Sequence, residues 1–474
     1  MVNPDADARS VRSASALHVA ALLLAAACLL APAAHAAAAV GKNAVAGSPV
    51  TFATSGQAVR TRTLANGLQV IVWPDHSIPS VVLYNWVHVG SRNEVNGATG
   101  LAHFFEHMMF NGTSRHAQGE FSRMIEGNGG SDNAFTSQDV TVYQDWFPRS
   151  ALELVLELES DRLANLAFDP AVVEKEREVV YSERRLRVED SNPAFLDEQV
   201  QATALIAHPY RIPTIGWPSD IKTWTLADLE GFYRMAYAPN NCTLVLVGDI
   251  EPEQAFRLVE RFYGPIARGP EVPAVRTVEP EQQGERRLTL ERPGQNPLVT
   301  MAWHAIKADD ARAPALNLLQ TILTGGDASR LHRSLVEEQQ LAVDVGSGWS
   351  EGFDPNLYIV SATLPEGGSP EAFERGLQAE LDRILKDGVS PLELTRAKNQ
   401  QAMGFWRGLA TLDGKAHMLG EFAVFHGDYR KLFTAPEAYE QVTREQLLAV
   451  ARDVFQPAHR TVGVLQPRPA AAGQ

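Results

Sequence analysis

At 474 residues, 45% hydrophobic and with two cysteines, the chain is long enough for two domains of ordinary size and must hold its core together without a disulfide framework. Its 42 basic residues stand against 57 acidic ones, a net charge of −15. That balance excludes a nucleic-acid binder working through a basic surface and suits a solvated, soluble one.

Arg9 and Arg12 precede an apolar run from about Ala16 to Ala31, and Ala34, His35 and Ala36 follow as a small-x-small signal-peptidase pattern. Residues 1–36 are therefore expected to be a signal peptide, cleaved after Ala36. The run is too short, and too closely followed by Pro32, for a stable membrane span, so the expected fate is export to the periplasm rather than full secretion. Cys28 reads as part of the leader and not as a lipid-attachment site, because Leu29, Leu30 and the cleavage pattern continue beyond it. Cys242 alone then remains. Residues 37–57, rich in Ala, Gly, Ser and Val, read as a flexible lead-in to a first folded domain over 58–263.

Within that domain Asn66 and Gly67 mark a turn between β-rich runs, with Leu68 to Val72 and Val81 to Val89 as expected strands. Gly90, Ser91, Arg92 and Glu94 form a loop leading to Leu101–Thr113, LAHFFEHMMFNGT, which carries His103, Glu106 and His107. On a helix, residues four apart lie one turn above each other, so the two imidazoles can converge on one ion with Glu106 beside them. This HxxEH pattern is the inverted form of the zinc-peptidase helix in which two His bind metal and the Glu is general base. A second helix is expected around Glu120 to Glu126, and Ser131 to Phe147, SDNAFTSQDVTVYQDWF, reads as one exposed or edge strand able to pair with extended substrate backbone.

A catalytic zinc takes three protein ligands and leaves one position for water. The acidic helix expected from about Pro170 to Asp190 offers Glu176 and Glu183, seven apart and on one face, with Val179 and Val180 turned to the core and Glu174 and Glu189 on a solvated face. Spacing alone does not choose between Glu176 and Glu183.

A Pro-rich polar linker is expected over 264–285, followed by a second domain over 286–467 and a tail over 468–474. Sliding the chain by 218 residues pairs Thr225 with Thr443, Leu229 with Leu447, Tyr237 with Phe455, Pro239 with Pro457 and Thr243 with Thr461, so the second domain reads as a repeat of the first. At 217, Trp86 falls on Trp303, which extends the repeat back through the metal region, where His103, Glu106 and His107 land on Gln320, Leu323 and Thr324. The second repeat is thus expected to be metal-free. Gly325 and Gly326 read as a helix terminus or turn.

The runs NGLQVIV from Asn66, GSRNE from Gly90, GLAHFFEHMMFNGT from Gly100, DNAFTSQDVTVY from Asp132, EREVVYSE from Glu176, HPY from His208 and YAPNNCTLVLVGD from Tyr237 carry a resemblance. Through them the chain is identified as similar to the pitrilysin or insulinase family of zinc metallopeptidases, close to bacterial relatives of the mitochondrial processing peptidase β subunit. The resemblance implies an α+β fold of two homologous repeats, each a mainly antiparallel sheet flanked by helices, closing as a clamshell. It implies one Zn2+ per chain, held by His103, His107 and Glu183, with Glu106 as general base and Glu176 supporting the site. It also implies that Asn133, Ala134 and Phe135 hold substrate backbone, and that unfolded or short peptides are cut.

One departure bears on partners. The family's second half often carries an Arg and a Tyr, seven apart after an SRL run, which position substrate. Here Ser329, Arg330 and Leu331 are present, but Val336 and Val343 occupy those two places and offer neither a guanidinium fork nor a phenol. A homologous partner subunit bearing the pair is therefore expected, in a heterodimer, with a homodimer as the other arrangement. Two further classes stand beside the peptidase: a non-catalytic scaffold subunit, against which the full HxxEH set argues, and a metal-dependent hydrolase of something other than peptides.

Overall fold

The computed structural model describes residues 58–468, so the expected signal peptide, Cys28, the lead-in and residues 469–474 lie outside the described residues. The first sheet takes β1 Arg60–Thr63, β2 Gln69–Pro74, β3 Ser80–Val87, β4 Ser131–Thr136, β5 Thr141–Pro148 and β6 Cys242–Gly248 in the order β1-β2-β6-β3-β5-β4. The second takes β7 Arg286–Pro293, β8 Leu298–His304, β9 Asp344–Trp349, β10 Leu357–Thr363 and β11 Arg460–Arg468 in the order β7-β11-β8-β10-β9. Every pairing is antiparallel except β2 with β6 and β7 with β11. Setting β1 aside, the two sheets have the same topology. The chain is an α+β protein of two repeats.

The first half carries helices α1 Leu101–Met108, α2 Glu120–Gly127, α3 Leu152–Asn165, α4 Pro170–Arg184, α5 Asn192–Ala204, α6 Pro218–Ile221, α7 Leu226–Ala236 and α8 Pro252–Tyr263. The second carries α9 Ala313–Thr324, α10 Pro370–Asp387, α11 Pro391–Gly408, α12 Leu412–Phe425, α13 Ala435–Gln441 and α14 Arg444–Val454. Between α8 and β7, residues 264–285 form neither helix nor strand.

The 218-residue repeat has a physical basis at four of its five pairs. Thr225 and Thr443 both cap a helix N-terminus through a capping box, with Asp228 and Gln446 as the returning side chains. Leu229 and Leu447 are the buried anchors of α7 and α14, Pro239 and Pro457 open short 3-10 turns, and Thr243 and Thr461 lie buried on β6 and β11. The match of Trp86 with Trp303 is different. Trp86 points away from its own half's helices, toward α12, whereas Trp303 packs among α9, α14 and Phe455. A one-residue change of offset flips every side chain of a strand to the other face, and 217 is one short of the offset that preserves facing.

Two expectations about local structure need correction. Ser131 to Phe147 is a hairpin and not one strand: Ser137 Oγ accepts from the Asp139 and Val140 amides and turns the chain, leaving β4 at the sheet edge and β5 inside, between β3 and β4. Val179 is exposed on α4 while Val180 is buried, because the buried stripe runs through Val173, Glu176, Val180 and Arg184. Gly325 ends α9, and Gly326 with φ 87° is a turn residue as expected.

Each sheet is covered on one face by its own half's helices and on the other by a helix from the opposite half. The first sheet's outer face receives α12, whose Leu412, Ala416 and Leu419 pack against Val82, Tyr84, Trp86 and Val245. The second sheet's outer face receives α5 through Leu196, Val200 and Ala204. Both contacts need a glycine: a Cβ on Gly420 of α12 would lie 2.1 Å from Trp86 Nε1, and one on Gly463 of β11 would lie 2.2 Å from Val200 Cγ2. The exchanged helices bind the halves into one compact unit. Polar contacts add to this, with Tyr84 OH and Trp146 Nε1 both donating to Asp413, and Arg92 Nη2 pairing with Asp354 at 2.7 Å.

Candidate metal centre

The site is built on α1 and α4. Gly100 precedes α1 with φ 89°, and a Cβ there would lie 2.6 Å from the Ile215 carbonyl, so only glycine suits this entry. Glu94 caps the helix from the preceding loop, one oxygen accepting from the Gly100 amide at 2.6 Å and the other from the Ala102 amide at 2.7 Å. A carboxylate there complements both the free amides and the positive end of the helix dipole. Burial nevertheless pushes its pKa up to about 8, against the pull of those amides. Phe104, Phe105 and Met108 anchor α1 in the first core, and His103, Glu106 and His107 occupy its other face.

Helix α4 starts at Asp169, whose side chain accepts from the Ala171 and Val172 amides. Its buried stripe brings Glu176 against His107, and at its last turn it presents Glu183. Residues Arg185–Glu189 then continue as a π-helical turn. Widened turns of this kind are frequent at functional sites. From it Arg187, itself exposed, returns to Glu183, Nε to Oε1 at 2.9 Å.

His103, His107 and Glu183 offer ligand atoms that all lie within 4.8 Å of one another, and among the described residues no other group of three His, Cys, Asp or Glu does so. His107 Nε2 is 3.1 Å and His103 Nε2 3.7 Å from Glu183 Oε2. The other nitrogen of His107, Nδ1, is 2.8 Å from Glu176 Oε1, while Glu176 Oε2 accepts from Asn111 Nδ2 at 2.9 Å. Nδ1 of His103 is buried without a partner. Of the two carboxylates left open by spacing, Glu183 faces both imidazoles and Glu176 stands behind one of them. Glu106 accepts from Thr136 Oγ1 of β4 at 2.6 Å.

The electrostatics are those of donor atoms drawn close together. Burial disfavours a charged His107, but hydrogen bonds to Glu176 and Glu183 outweigh it and hold the pKa up to about 9. Burial, with His107 beside it, pushes His103 down to about 4. Burial raises Glu106, opposed by the Thr136 hydroxyl. Glu176 is lowered, because the bonds from His107 and Asn111 exceed its burial penalty. Two imidazole nitrogens and a carboxylate oxygen, with a carboxylate orienting one imidazole from behind, fit a divalent zinc ion, whose binding would expel the proton His107 shares with its acids.

Beside the triad a cavity of about 400 Å³ is lined by His103, Thr136, Glu183, Arg187, Gln201 and Arg211. Edge strand β4 borders it through Thr136. Asn133 is exposed on that strand, whereas Ala134 packs on the first core and Phe135 on Trp86 and His417 from the opposite face. Val336 packs against the second core and Val343 is exposed. The sequence reading did not assign roles to Glu94, Asn111, Thr136 or Arg187. Asn111 follows His107 by four and Arg187 follows Glu183 by four, a helical spacing that could have flagged both; the contacts of Glu94 and Thr136 depend on the folded chain.

Fold and donor set together define a metallopeptidase-like scaffold whose one convergent donor set among the described residues lies in the first half. Residues 70–217 match the insulinase (peptidase family M16) domain, and residues 223–401 match the peptidase M16 inactive domain. The chain is 30% identical over 421 residues to the zinc protease PqqE of Helicobacter pylori, covering 85% of this chain and 92% of that one. A crystal structure of a protease from Helicobacter pylori superposes with a TM-score of 0.83 at 28% identity, over 86% of this chain and 99% of its own. The periplasmic protease PqqL of Escherichia coli shares the fold, with a TM-score of 0.71 at 20% identity, and this chain spans 87% of its own length and 48% of PqqL. The chain belongs to the insulinase, or M16, family of zinc peptidases.

Proposed function

We propose that this protein is a zinc-dependent endopeptidase acting on peptides or unfolded polypeptides. The observation that carries the reading is the convergence of His103, His107 and Glu183, with Glu106 on the same face of α1. Bound there, one zinc ion per chain would lower the pKa of a water to about 7 and polarise a peptide carbonyl. Glu106, its pKa raised by burial and its orientation fixed by Thr136, takes the proton of the attacking water and passes it to the leaving amine. Glu176 holds His107 in the tautomer that presents Nε2 to the metal. The outer edge of β4, unpaired among the described residues, accepts extended substrate backbone at Asn133, Ala134 and Phe135.

Val336 and Val343 leave this chain without the substrate-positioning Arg and Tyr, so the enzyme is the zinc-bearing subunit of a pair with a homologue that supplies them. The leader pattern and the periplasmic location of PqqL favour export to the periplasm. No helix among the described residues is long and apolar enough to cross a membrane. Cleavage of a quenched mixed-peptide library by the purified chain, alone and with a co-expressed homologue that lacks HxxEH, tests the pairing: activity only with the partner supports it, and full activity alone refutes it. The scaffold reading would follow from absence of zinc-dependent cleavage in both preparations.

A further inference from the structure

A pocket of about 500 Å³ in the second half, left unused by the peptidase chemistry, is walled by the N-terminal turns of α9, the C-terminal half of α11, and α12 and α13. Its volume is that of a small-molecule site. The walls are mostly apolar or aromatic, with Phe405, Met418 and Phe422 on one side and Tyr439 on another. Four carboxylates line it: Asp309 and Asp310, paired with Lys307 and Arg312, and the two acids Glu351 and Glu421, which have no ion pair among the described residues. None of the zinc-site residues lines it.

The two acids are unequally provided for. Glu351 accepts from Asn317 Nδ2 at 3.0 Å, and Asn317 is itself fixed by Trp349, whose Nε1 donates to its Oδ1 at 2.6 Å, and by Tyr439 OH at 3.0 Å from Nδ2. Glu421 makes no hydrogen bond and no ion pair among the described residues. Lys431, the lysine nearest at hand on the lining, turns its Nζ to the His426 carbonyl at 2.9 Å. Glu421 is a half-buried carboxylate that faces the pocket without donor or cation, and burial and the neighbouring Glu351 push it up to about 7. Several other buried acids are provided for: Glu198 has Arg184, Asp139 has Arg92 and Tyr210, and Glu94 has two amides, whereas both oxygens of the core residue Asp145 also lack a partner.

We infer that this pocket binds an organic cation, a guanidinium or primary ammonium group on a short apolar stem, with the charged end against Glu421 and Glu351 and the stem along Phe405, Met418 and Phe422. A bare metal ion is the poorer fit, since the pocket brings together no third His, Cys, Asp or Glu ligand atom. An organic cation instead supplies the N–H donors that Glu421 lacks, and aromatic faces favour it further. The chemistry is common to a free alkylamine or alkylguanidine and to an arginine or lysine side chain of a peptide.

Isothermal titration of the full chain with agmatine, and with N-butylurea, in which a neutral urea replaces the guanidinium and a methyl group the amine, tests the assignment. Agmatine binding at one site, absent for N-butylurea and weakened at least tenfold in both Glu421→Gln and Glu351→Gln, is the expected result. Thermal melting of each variant shows that the fold is retained, and the two variants back each other should one fail to fold. Competition by a short arginine peptide, but not by its citrulline counterpart, would extend the site to a peptide side chain; lack of competition would restrict it to free small cations. No binding of agmatine to the wild type, or equal binding to wild type and to both glutamine variants, overturns the inference.

Discussion

Glu176→Gln probes the layer behind the metal ligands. In the wild type one carboxylate satisfies two donors, His107 Nδ1 at 2.8 Å and Asn111 Nδ2 at 2.9 Å. Glutamine has a single acceptor oxygen, so one of these donors must face an NH2 group instead, and the charge that stabilises the imidazole is gone. A hydrogen bond to a charged group is worth about 1.5–3 kcal/mol. Outer partners of a metal-bound His typically control about 10- to 100-fold in metal affinity, or about 1.4–2.7 kcal/mol. Both routes place the loss of zinc affinity between one and two orders of magnitude. The assay is competition for zinc against a calibrated chelating indicator, with Glu174→Gln, on the exposed side of α4, as a control that should bind like the wild type. An affinity for Glu176→Gln within about twofold of wild type, well below the expected 10-fold minimum, would refute the role given to this carboxylate.

Three further outcomes follow from the same geometry. Gly420→Ala places a methyl group 2.1 Å from Trp86 Nε1 and must lift α12 off the first sheet, at a cost of about 1–3 kcal/mol in denaturant unfolding. Glu94→Ala leaves the Gly100 and Ala102 amides without their acceptor and should lower stability by about 0.5–2 kcal/mol, with weaker zinc binding because α1 frays where His103 sits. Burial works against ionisation of Asp75, but Lys415 of α12 and Ser77 overcome it and bring its pKa down from 3.8 to about 2. A depressed native value means that the unfolded chain binds the proton first on acidification, so this pair's contribution is whole above about pH 4 and is lost between about pH 4 and 2. Melting temperatures of Asp75→Asn should therefore lie below wild type at neutral pH and converge with it across that interval.

Local signals in the sequence were enough for the convergence of the two imidazoles on α1, because His103 and His107 are four apart and a helix does the rest. The choice between Glu176 and Glu183 was not local. Both lie on one face of α4, and only the crossing of α4 over α1 sets Glu183 before both imidazoles and Glu176 behind one. The helix-cap threonines made the repeat legible, since Thr225 and Thr443 start the same helix–strand unit. Trp86 and Trp303 misled because a strand's facing turns on a single residue of offset. The exchange of α5 and α12 between halves was invisible: neither helix carries a clear one-sided apolar stripe, so the sequence indicated neither which face is buried nor against which sheet. The hairpin at Ser137 escaped because SQD is a weak turn signal beside the β-branched residues around it.

The most direct test of the central claim is to measure zinc content and peptide cleavage together in the wild type and in Glu106→Gln, each with the homologous partner present. Glu106 is not among the converging ligands. The account predicts one zinc per chain in both proteins and cleavage only in the wild type, with a loss of at least about 100-fold in the variant. Cleavage by Glu106→Gln at the wild-type rate with zinc bound, or a wild type that holds no zinc at His103, His107 and Glu183, would contradict it.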